Sequence, residues 1–319
     1  MKNSAKKRVG VLMGGPSRER DISIKSGKAV CRALESNGIK PVPLELIKAS
    51  TMNGYRDQVS DMICLSDIDV AFIALHGEFG EDGCVQGVLE GLNIPYTGSR
   101  AKASTLGMDK VKSKAIFESK GILTPRYKVI TLANERGKDL ALPALIKELG
   151  LPLVVKPSNE GSSIGLSIVE SENGFIDALN NALEHSDKVI IEEYIAGREI
   201  TVGILEDRPL PVVEIIPGKR FFDFEAKYKK GMTEYRTPAD IEQEAYRASQ
   251  EIALESHRAL GARFFSRVDM ILTKDNIPVV LEVNTIPGLT ETSLLPRAAQ
   301  AAGIDFNKLI IKILESALW

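Results

Sequence analysis

The chain is organised around Arg267–Asn284, which reads RVDMILTKDNIPVVLEVN. Two alternating runs, Val268–Leu272 and Ile277–Val283, flank Thr-Lys-Asp-Asn, and this pattern predicts a β-hairpin. Alternation along each strand gives the hairpin one polar and one apolar face. The predicted apolar face carries Val268, Met270, Leu272, Leu281 and Val283.

The polar face of this hairpin carries two opposed carboxylates. A turn centred between residues 275 and 276 places Asp269 opposite Glu282 and Arg267 opposite Asn284. Like charges at a Cβ separation of about 4.5–5.5 Å are destabilising, unless something positive lies between them. Two carboxylates and an amide oxygen form an all-oxygen set suited to Mg²⁺ or Mn²⁺. The alternative is a polar face whose charges are solvated, and the spacing alone leaves both open.

Composition indicates a soluble protein of two or three domains, since 319 residues with 44% hydrophobic content can bury a substantial core. The net charge of −2 gives no basic footprint for a nucleic-acid partner. Three cysteines without a C-x-x-C pair argue against a disulfide framework and fit a reducing cytoplasm. No apolar run approaches the roughly 18 residues of a membrane span, and none predicts a signal peptide. We therefore expect a cytoplasmic protein with no membrane or nucleic-acid partner.

The first predicted unit, residues 1–98, is an α/β layer. Strands at Val9–Met13, Val42–Leu46 and Val70–Leu75 alternate with a helix over about Ile22–Asn37. The third strand runs into His76 and a glycine-rich loop, at the strand end where such sheets bind ligands. A lone histidine is more often structural than a ligand, so His76 is a candidate only.

The second predicted unit, residues 99–192, contains a helix over Met108–Lys120 and a strand over Leu153–Lys156. The strand leads into PSNEGSSIG at 157–165, whose small residues allow backbone N–H groups to approach phosphates. A mobile hairpin loop is the alternative. A further strand is predicted at Val189–Tyr194.

The third predicted unit, residues 193–319, contains strands at Glu199–Leu205 and Val212–Ile216, followed by an irregular segment at 217–238. The aromatic residues of that segment predict an ordered cover over a site. An amphipathic helix is predicted over Ile241–Gly261, and its His257 is predicted to lie on the surface.

Eight motifs in this order resemble the D-alanine–D-alanine ligase family, from about Val9 to the C-terminal helix. They are GGPSRERDIS (14–23), ALHGEFGEDG (74–83), MDK (108–110), VVKPSNEGSSIG (154–165), EEYIAGRE (192–199), FFDFEAKY (221–228), RVDM (267–270) and LEVNTIPGLTETSLLP (281–296). The resemblance implies a three-domain ATP-grasp fold, α/β and α+β, with an N-terminal α/β (pre-ATP-grasp) domain. ATP would lie between the other two domains.

The implied reaction joins two D-alanines, with ATP as co-substrate, for peptidoglycan synthesis. An acyl phosphate is the intermediate, and ADP and phosphate are released. The resemblance also implies two Mg²⁺ or Mn²⁺ ions per site and a homodimer in the cytoplasm.

The resemblance assigns site residues in three groups. ATP would be bound by Lys110, Lys156, Ser163, Glu192, Glu193, Tyr194, Ile195, Glu199 and Lys227. The amino acids and the reacting atoms would be contacted by Glu19, His76, Ser162, Tyr228, Arg267, Ser293 and Leu294. The metal ions would be held by Asp269, Glu282 and Asn284. Within the second group, Glu19, Ser162 and Tyr228 would form one hydrogen-bonded set.

Three other interpretations stay open on the sequence. A glutathione-synthetase-like ligase is the nearest, and a nucleotide-binding protein without catalytic activity is the second. The third is an NAD-dependent dehydrogenase, suggested only by the glycine turn after the first strand. Tyr228 favours a dipeptide product, because relatives that make D-alanyl-D-lactate lack this tyrosine.

Overall fold

The computed structural model describes residues 7–131, 142–217 and 233–318, and it places their strands in three sheets. The first sheet is parallel and the other two are antiparallel. This is the mixed α/β architecture that the resemblance implied.

The first sheet has the order β2-β1-β3. Its strands are β1 (Val9–Gly14), β2 (Pro41–Leu46) and β3 (Val70–Ile73), and its helices are α1 (Arg20–Ser36), α2 (Met52–Ser66) and α3 (Cys84–Gly91). All six residues of β1 are buried, as expected for a central strand covered on both faces. The carboxyl ends of β1 and β3 lie side by side at the point where the strand order reverses, and the loops that carry Glu19 and His76 begin there.

The predicted helix Met108–Lys120 is wrong in its first turn, because the chain forms α4 (Ala101–Met108) and then α5 (Lys110–Ser119). Asp109 has an extended backbone, and its carboxylate accepts hydrogen bonds from the N–H groups of Val111 and Lys112. An N-cap of this kind starts a new helix rather than continuing the old one.

The second sheet has the order β4-β7-β5-β6. Its strands are β4 (Tyr127–Thr131), β5 (Leu153–Pro157), β6 (Ser167–Val169) and β7 (Lys188–Glu193), accompanied by α6 (Leu142–Leu149), a 3₁₀ turn (Glu172–Gly174) and α7 (Phe175–Leu183). Val155 and Ile191 pair on the face that packs against Phe175 of α7. The opposite face carries Lys156 and Glu192.

The third sheet has the order β11-β10-β8-β12-β13, with β9 paired to β8. Its strands are β8 (Gly197–Leu205), β9 (Arg208–Pro209), β10 (Val213–Pro217), β11 (Thr233–Arg236), β12 (Phe265–Thr273) and β13 (Pro278–Asn284). Helix α8 (Gln243–Ala259) covers one face with Ala245, Ser249 and Ala253, which recur at the four-residue spacing of a helix stripe. Helices α9 (Leu294–Ala301) and α10 (Phe306–Glu315) pack on the other side and share a core with α1 and the first sheet.

The hairpin register was predicted correctly, since Asp269 pairs with Glu282 and Arg267 pairs with Asn284. Four of the five residues predicted on the apolar face of the hairpin lie there, and the prediction was wrong for Leu281. The register shifts after Asp269, so that Met270 pairs with Val280 and Leu281 is the extra residue of a β-bulge. Leu281 consequently lies beside Glu282 on the polar face, where it lines a cavity.

Two further predictions need correction. Residues 233–236 of the segment predicted as irregular form β11, which pairs with β10; residues 218–232 lie outside the described residues. His257 is fully buried instead of exposed, because Ser266 and Asp207 bind both its ring nitrogens. None of the helices in the described ranges is long and apolar enough to cross a membrane.

Candidate active site

Two adjoining cavities, of about 300 and 270 Å³, lie where the three sheets meet. Lys110, Glu199, Asp269 and Glu282 line both of them and form the wall that the cavities share. The first cavity extends from this wall toward the carboxyl ends of the parallel sheet. The second extends between the polar faces of the two antiparallel sheets.

The first cavity brings together the residues predicted for the amino acids that lie in described parts of the chain. These are Glu19, His76, Ser162, Arg267, Ser293 and Leu294. The second cavity brings together eight of the nine residues predicted for ATP, namely Lys110, Lys156, Ser163, Glu192, Glu193, Tyr194, Ile195 and Glu199. Lys227 and Tyr228 lie outside the described residues.

Strand pairing explains how the shared wall is built. Asp269 on β12 has Thr201 of β8 on one side and Glu282 of β13 on the other. Ile271, two residues further along β12, pairs with Glu199. Residues directly paired in a sheet point to the same face, so three strands place these side chains on one surface.

Asp269 is held from two directions. Its carboxylate accepts hydrogen bonds from Arg267 at 2.8 and 2.6 Å and from the Thr201 hydroxyl at 2.6 Å. The amide of Asn284 is oriented so that its oxygen accepts a hydrogen bond from Arg267 (2.7 Å) and its nitrogen donates one to Glu81 (3.2 Å). Arg267 therefore connects a metal-ligand candidate on its own strand with one on β13. Sequence reasoning missed Thr201, although it lies two residues after Glu199 on the same strand face.

Glu282, the other carboxylate of the wall, is compensated by Lys110. The Lys110 ammonium lies 3.1 Å from Glu282 and donates to the Glu160 carbonyl at 2.7 Å. Helix α5 begins at Lys110, so its N-cap Asp109 fixes where this ammonium enters the site. In the described residues, no three or more His, Cys, Asp and Glu side chains are grouped to hold a metal ion; the predicted set is two carboxylates and an amide.

Ser162 in the 157–165 loop donates a hydrogen bond to Glu19, which follows β1. This contact was predicted as part of the set with Tyr228. Ser162 and Ser163 both have positive φ, at 51° and 59°. Such backbone is uncommon for residues with a side chain and is frequent at ligand-binding turns.

His76 lines the first cavity, but other groups of the protein already bind both of its ring nitrogens. Nδ1 lies 3.1 Å from the Ile286 carbonyl, which can only accept, so Nδ1 carries the proton. Nε2 then accepts from the Ser26 hydroxyl at 2.9 Å. Burial lowers the pKa of His76 below its ordinary value, so the ring is neutral. His76 connects β3 and α1 to the chain that follows β13.

Glu81, which sequence reasoning passed over inside HGEFGEDG, is a buried carboxyl in the wall of the first cavity. Its oxygens accept from the N–H groups of Gly77 (2.7 Å) and Ile286 (3.2 Å). Burial, with the charge of Glu19, raises the pKa of Glu81 to about 8. Phe79, whose consequence the sequence did not give, is a core residue packed against Tyr55.

In the second cavity, Glu192 lies between two lysines. Lys156 contacts one carboxylate oxygen at 2.8 Å, and Lys114 contacts the other at 3.1 Å. Burial alone would raise the pKa of Glu192, but the charges of Lys156 and Lys114 outweigh it and lower the pKa. Lys114 was missed in the sequence, although it lies one helical turn after Lys110 and therefore on the same face of α5.

Glu193 points away from this pair. Its carboxylate accepts hydrogen bonds from the Arg126 backbone N–H (2.9 Å) and Nε (2.7 Å), and it lies 2.6 Å from Nη2 as an ion pair. These contacts fix the side chain of Glu193. Glu193 lines the cavity together with Tyr194 and Ile195, which follow the end of β7.

Ser293 and Leu294 lie at the start of α9, across the first cavity from Glu19. Helix α9 lies directly on β8 at Gly203, where an added Cβ would come within 2.7 Å of Leu295. Gly203 pairs with Arg267, so this close approach brings the helix start beside the guanidinium. A glycine in a strand commonly marks such a backbone approach.

Comparison with known proteins identifies the family of the chain. Residues 116–315 match the family profile described as "D-ala D-ala ligase C-terminus", and residues 47–99 match "D-ala D-ala ligase N-terminus". A D-alanine–D-alanine ligase of Geotalea uraniireducens is 44% identical over 311 residues, covering 98% of this chain and 96% of the relative. This chain belongs to the D-alanine–D-alanine ligase family.

Solved structures of the ligase family have the same fold. The D-alanine–D-alanine ligase of Bacillus anthracis in complex with ATP superposes with a TM-score of 0.82 at 38% identity, over 98% of this chain and 97% of that one. The VanG D-Ala:D-Ser ligase of Enterococcus faecalis gives 0.81 at 28% identity, over 98% and 99%. The dehydrogenase interpretation is therefore wrong. Family members that differ in their second substrate share the fold, so the fold alone does not choose the acceptor.

Proposed function

We propose that this protein is an ATP-dependent D-alanine–D-alanine ligase that supplies the dipeptide for peptidoglycan synthesis. The observation that carries the proposal is the wall shared by the two cavities. Its lysine and two carboxylates lie between a cavity suited to a nucleotide and a cavity suited to amino acids. A γ-phosphate moving from the nucleotide in the second cavity to an amino acid in the first would lie beside Lys110, Asp269 and Glu282 of this wall.

The reaction has two steps. A carboxylate oxygen of the first D-alanine bonds to the γ-phosphorus of ATP, the bond to the β,γ-bridging oxygen breaks, and ADP leaves. The amine of the second D-alanine then attacks the acyl carbon and loses a proton, and phosphate leaves. Phosphoryl transfer is governed mainly by positioning and by neutralisation of charge, which fixed cations supply.

In the second cavity we assign the charged end to the phosphates and the apolar end to the base. Lys110 and Lys156 would contact phosphate oxygens, and the loop with Ser163 would close over them. Glu199 would accept hydrogen bonds from the ribose. The opposite end has Val154, Ile168 and Ile195 in its lining, which suits a flat aromatic ring.

In the first cavity Glu19 would hold the ammonium group of the first D-alanine, with Ser162 fixing the carboxylate orientation. Arg267 would stabilise the oxyanion that forms at the attacked carbonyl, because its planar guanidinium is held rigidly by Asp269. Ser293 and the Leu294 backbone would receive the carboxylate of the second D-alanine. His76 would orient the loops around the site, since its two nitrogens are already used.

Asp269, Glu282 and Asn284 fit a pair of Mg²⁺ or Mn²⁺ ions. They form an all-oxygen donor set on one sheet face, and Arg267 and Lys110 now supply the positive charge that these carboxylates require. Bound divalent ions would neutralise phosphate charge. Arg267 and Lys110 would remain as the protein's own cations on either side of the wall.

Several expectations extend this proposal. Lys227 would reach the transferred phosphate, and Tyr228 would join Glu19 and Ser162. We also propose the division into residues 1–98, 99–192 and 193–319, with 217–238 as the cover of the site. A homodimer in the cytoplasm completes the proposal, and light scattering of the purified protein tests the dimer.

The acceptor is tested by product analysis. The enzyme is incubated with ATP, Mg²⁺ and D-alanine, alone or with an equal concentration of D-serine or D-lactate, and the products are identified by mass. We expect D-alanyl-D-alanine as the main product in every mixture. A mixed product that dominates at equal concentrations of the two acceptors would move the chain to another branch of the family.

A further inference from the structure

Lys114 is a buried cation for which the proposed reaction has no use. Its side chain is 0% exposed, and it lies on α5 behind the wall of the second cavity. An ammonium group has three N–H donors, and Lys114 has three acceptors within reach. These are the Thr124 hydroxyl at 2.6 Å, the Pro125 carbonyl at 3.0 Å and the Glu192 carboxylate at 3.1 Å.

Two of these three partners lie in the lining of the cavity. Pro125 and Glu192 both face the end that we assign to the base, whereas Lys114 itself is not in the lining. The Tyr127 ring, 5.1 Å from the ammonium, covers it as well. Lys114 therefore acts on a ligand only through the groups that it holds.

Glu192 needs a cation that stays with it when the nucleotide binds. Lys156 also contacts Glu192, but Lys156 is one of the lysines assigned to the phosphates, so its charge would be shared. Lys110 is engaged with Glu282 and the Glu160 carbonyl. Lys114 holds Glu192 from behind the lining, together with Thr124 and Pro125, and it is not among the lysines assigned to the phosphates.

The carboxylate of Glu192 lines the cavity and is held by one lysine on each oxygen. Lys156 lies 2.8 Å from Oε2, and Lys114 lies 3.1 Å from Oε1. An ionised carboxylate accepts hydrogen bonds and donates none. It favours an amino group on the base and repels a carbonyl oxygen at the same position.

We propose that Lys114 is a positioning residue for base selection: it keeps Glu192 ionised and oriented, so that the site takes 6-aminopurine and rejects 6-oxopurine nucleotides. This inference rests on the proposed ATP-dependent function and on the assignment of the base to the Glu192 end. A neutral residue at position 114 lets Glu192 take up a proton, and a protonated carboxyl can donate to a 6-oxo group.

The test compares nucleotides that differ at position 6 of the purine. Affinities for ADP and IDP are measured by calorimetry, and kcat/KM for ATP and ITP is measured with saturating D-alanine. The variants are Lys114→Gln, which keeps hydrogen-bond donors without the charge, and Lys114→Met, which keeps the volume. Lys112→Gln is the matched control, because Lys112 is half exposed on the same helix.

We expect the ADP-to-IDP affinity ratio, and the ATP-to-ITP ratio of kcat/KM, to fall at least about tenfold in the Lys114 variants and to stay unchanged in Lys112→Gln. KM for D-alanine should change less than about twofold, because the first cavity is untouched. If Lys114 only supported the fold, its variants would bind both nucleotides more weakly to the same degree. Unchanged ADP-to-IDP and ATP-to-ITP ratios in a folded Lys114 variant would overturn the proposal.

Two provisions keep the test decisive. If neither Lys114 variant folds, Thr124→Val removes one acceptor of the ammonium and should lower the same ratio about threefold; an unchanged ratio counts against the proposal. Binding of ADP and IDP is measured without turnover, so the two tests are separate. Absence of ligation by the wild-type protein would refute the proposed function, while the ADP and IDP affinities would still show whether Lys114 controls base selection.

Discussion

The hydroxyl of Ser162 donates a hydrogen bond to the carboxylate of Glu19, which joins the 157–165 loop to the N-terminus of α1. One residue lies in the loop assigned to phosphates, and the other is assigned to the ammonium group of the first D-alanine. The contact thus connects closure over the nucleotide with orientation of the amino acid.

Ser162→Ala should lower kcat/KM for D-alanine roughly tenfold and change KM for ATP by less than about threefold. The reason is that Glu19 loses the donor that orients it, while the lysines of the second cavity are unaffected. Steady-state kinetics with each substrate varied in turn separates the two effects. A change confined to KM for ATP would show that the contact does not reach the amino-acid site.

Gly77→Ala should damage the same contact through the backbone. Gly77 has φ of 68°, and an added Cβ would collide with Ser17 and lie 2.9 Å from a Glu19 oxygen. We expect a stability loss of at least about 1 kcal/mol and lower activity.

Gly87→Ala is its matched control. Gly87 lies in the middle of α3 with nothing within 4 Å of the added Cβ, so alanine should raise stability by up to about 1 kcal/mol. Thermal melts and activity are compared for the two variants. Equal changes of melting temperature and activity in the two variants would contradict the close packing of Gly77 against Ser17 and Glu19.

Glu282→Gln should lower kcat about 10²-fold or more and leave the fold intact. The carboxylate lies at the surface of both cavities, and its loss removes one metal-ligand candidate without opening a core cavity. Asp275→Asn, in the turn of the same hairpin, is the control and should have wild-type kcat. Full activity of Glu282→Gln at saturating Mg²⁺ would rule out the metal assignment.

Buried neutral histidines make the stability fall at acidic pH. Burial lowers the pKa of His257 below 6.5, although the nearby Asp207 opposes the shift. As pH falls below about 6.5, the unfolded chain binds a proton that the folded chain does not, so the free energy of unfolding decreases. His76 contributes with the same sign.

His257→Gln should therefore flatten the dependence of the melting temperature on pH between about 7 and 5. His185→Gln, at a half-buried position, serves as the comparison. The slope is the quantity to compare, since the substitution also changes stability at neutral pH. An unchanged slope in His257→Gln would show that folding does not lower the pKa of this ring.

The part of the candidate site on the β12–β13 hairpin could be predicted from strand alternation. The pairing of Asp269 with Glu282 followed from side-chain period and turn position, and both are properties of adjacent sequence. The bulge at Leu281 could not be predicted, because LEVN keeps the same alternation with or without an extra residue. Its position follows from packing of both strands against neighbours distant in sequence.

Groups that act through distant partners were missed for a related reason. Lys114 follows Lys110 by one helical turn, so the helix pattern could have placed it on the same face. Its significance arises only when β7 brings Glu192 beside it. His257 was predicted to lie on the surface as an isolated histidine of an amphipathic helix, whereas its ring is buried between Ser266 and Asp207, which lie elsewhere in the chain.

The most direct test of the account is phosphate release from ATP and Mg²⁺ with D-alanine, compared with L-alanine and with no amino acid. We predict release with D-alanine alone, and one dipeptide formed for each phosphate. Equal release with L-alanine, or release without dipeptide, would contradict the assignment of the first cavity to two D-alanines.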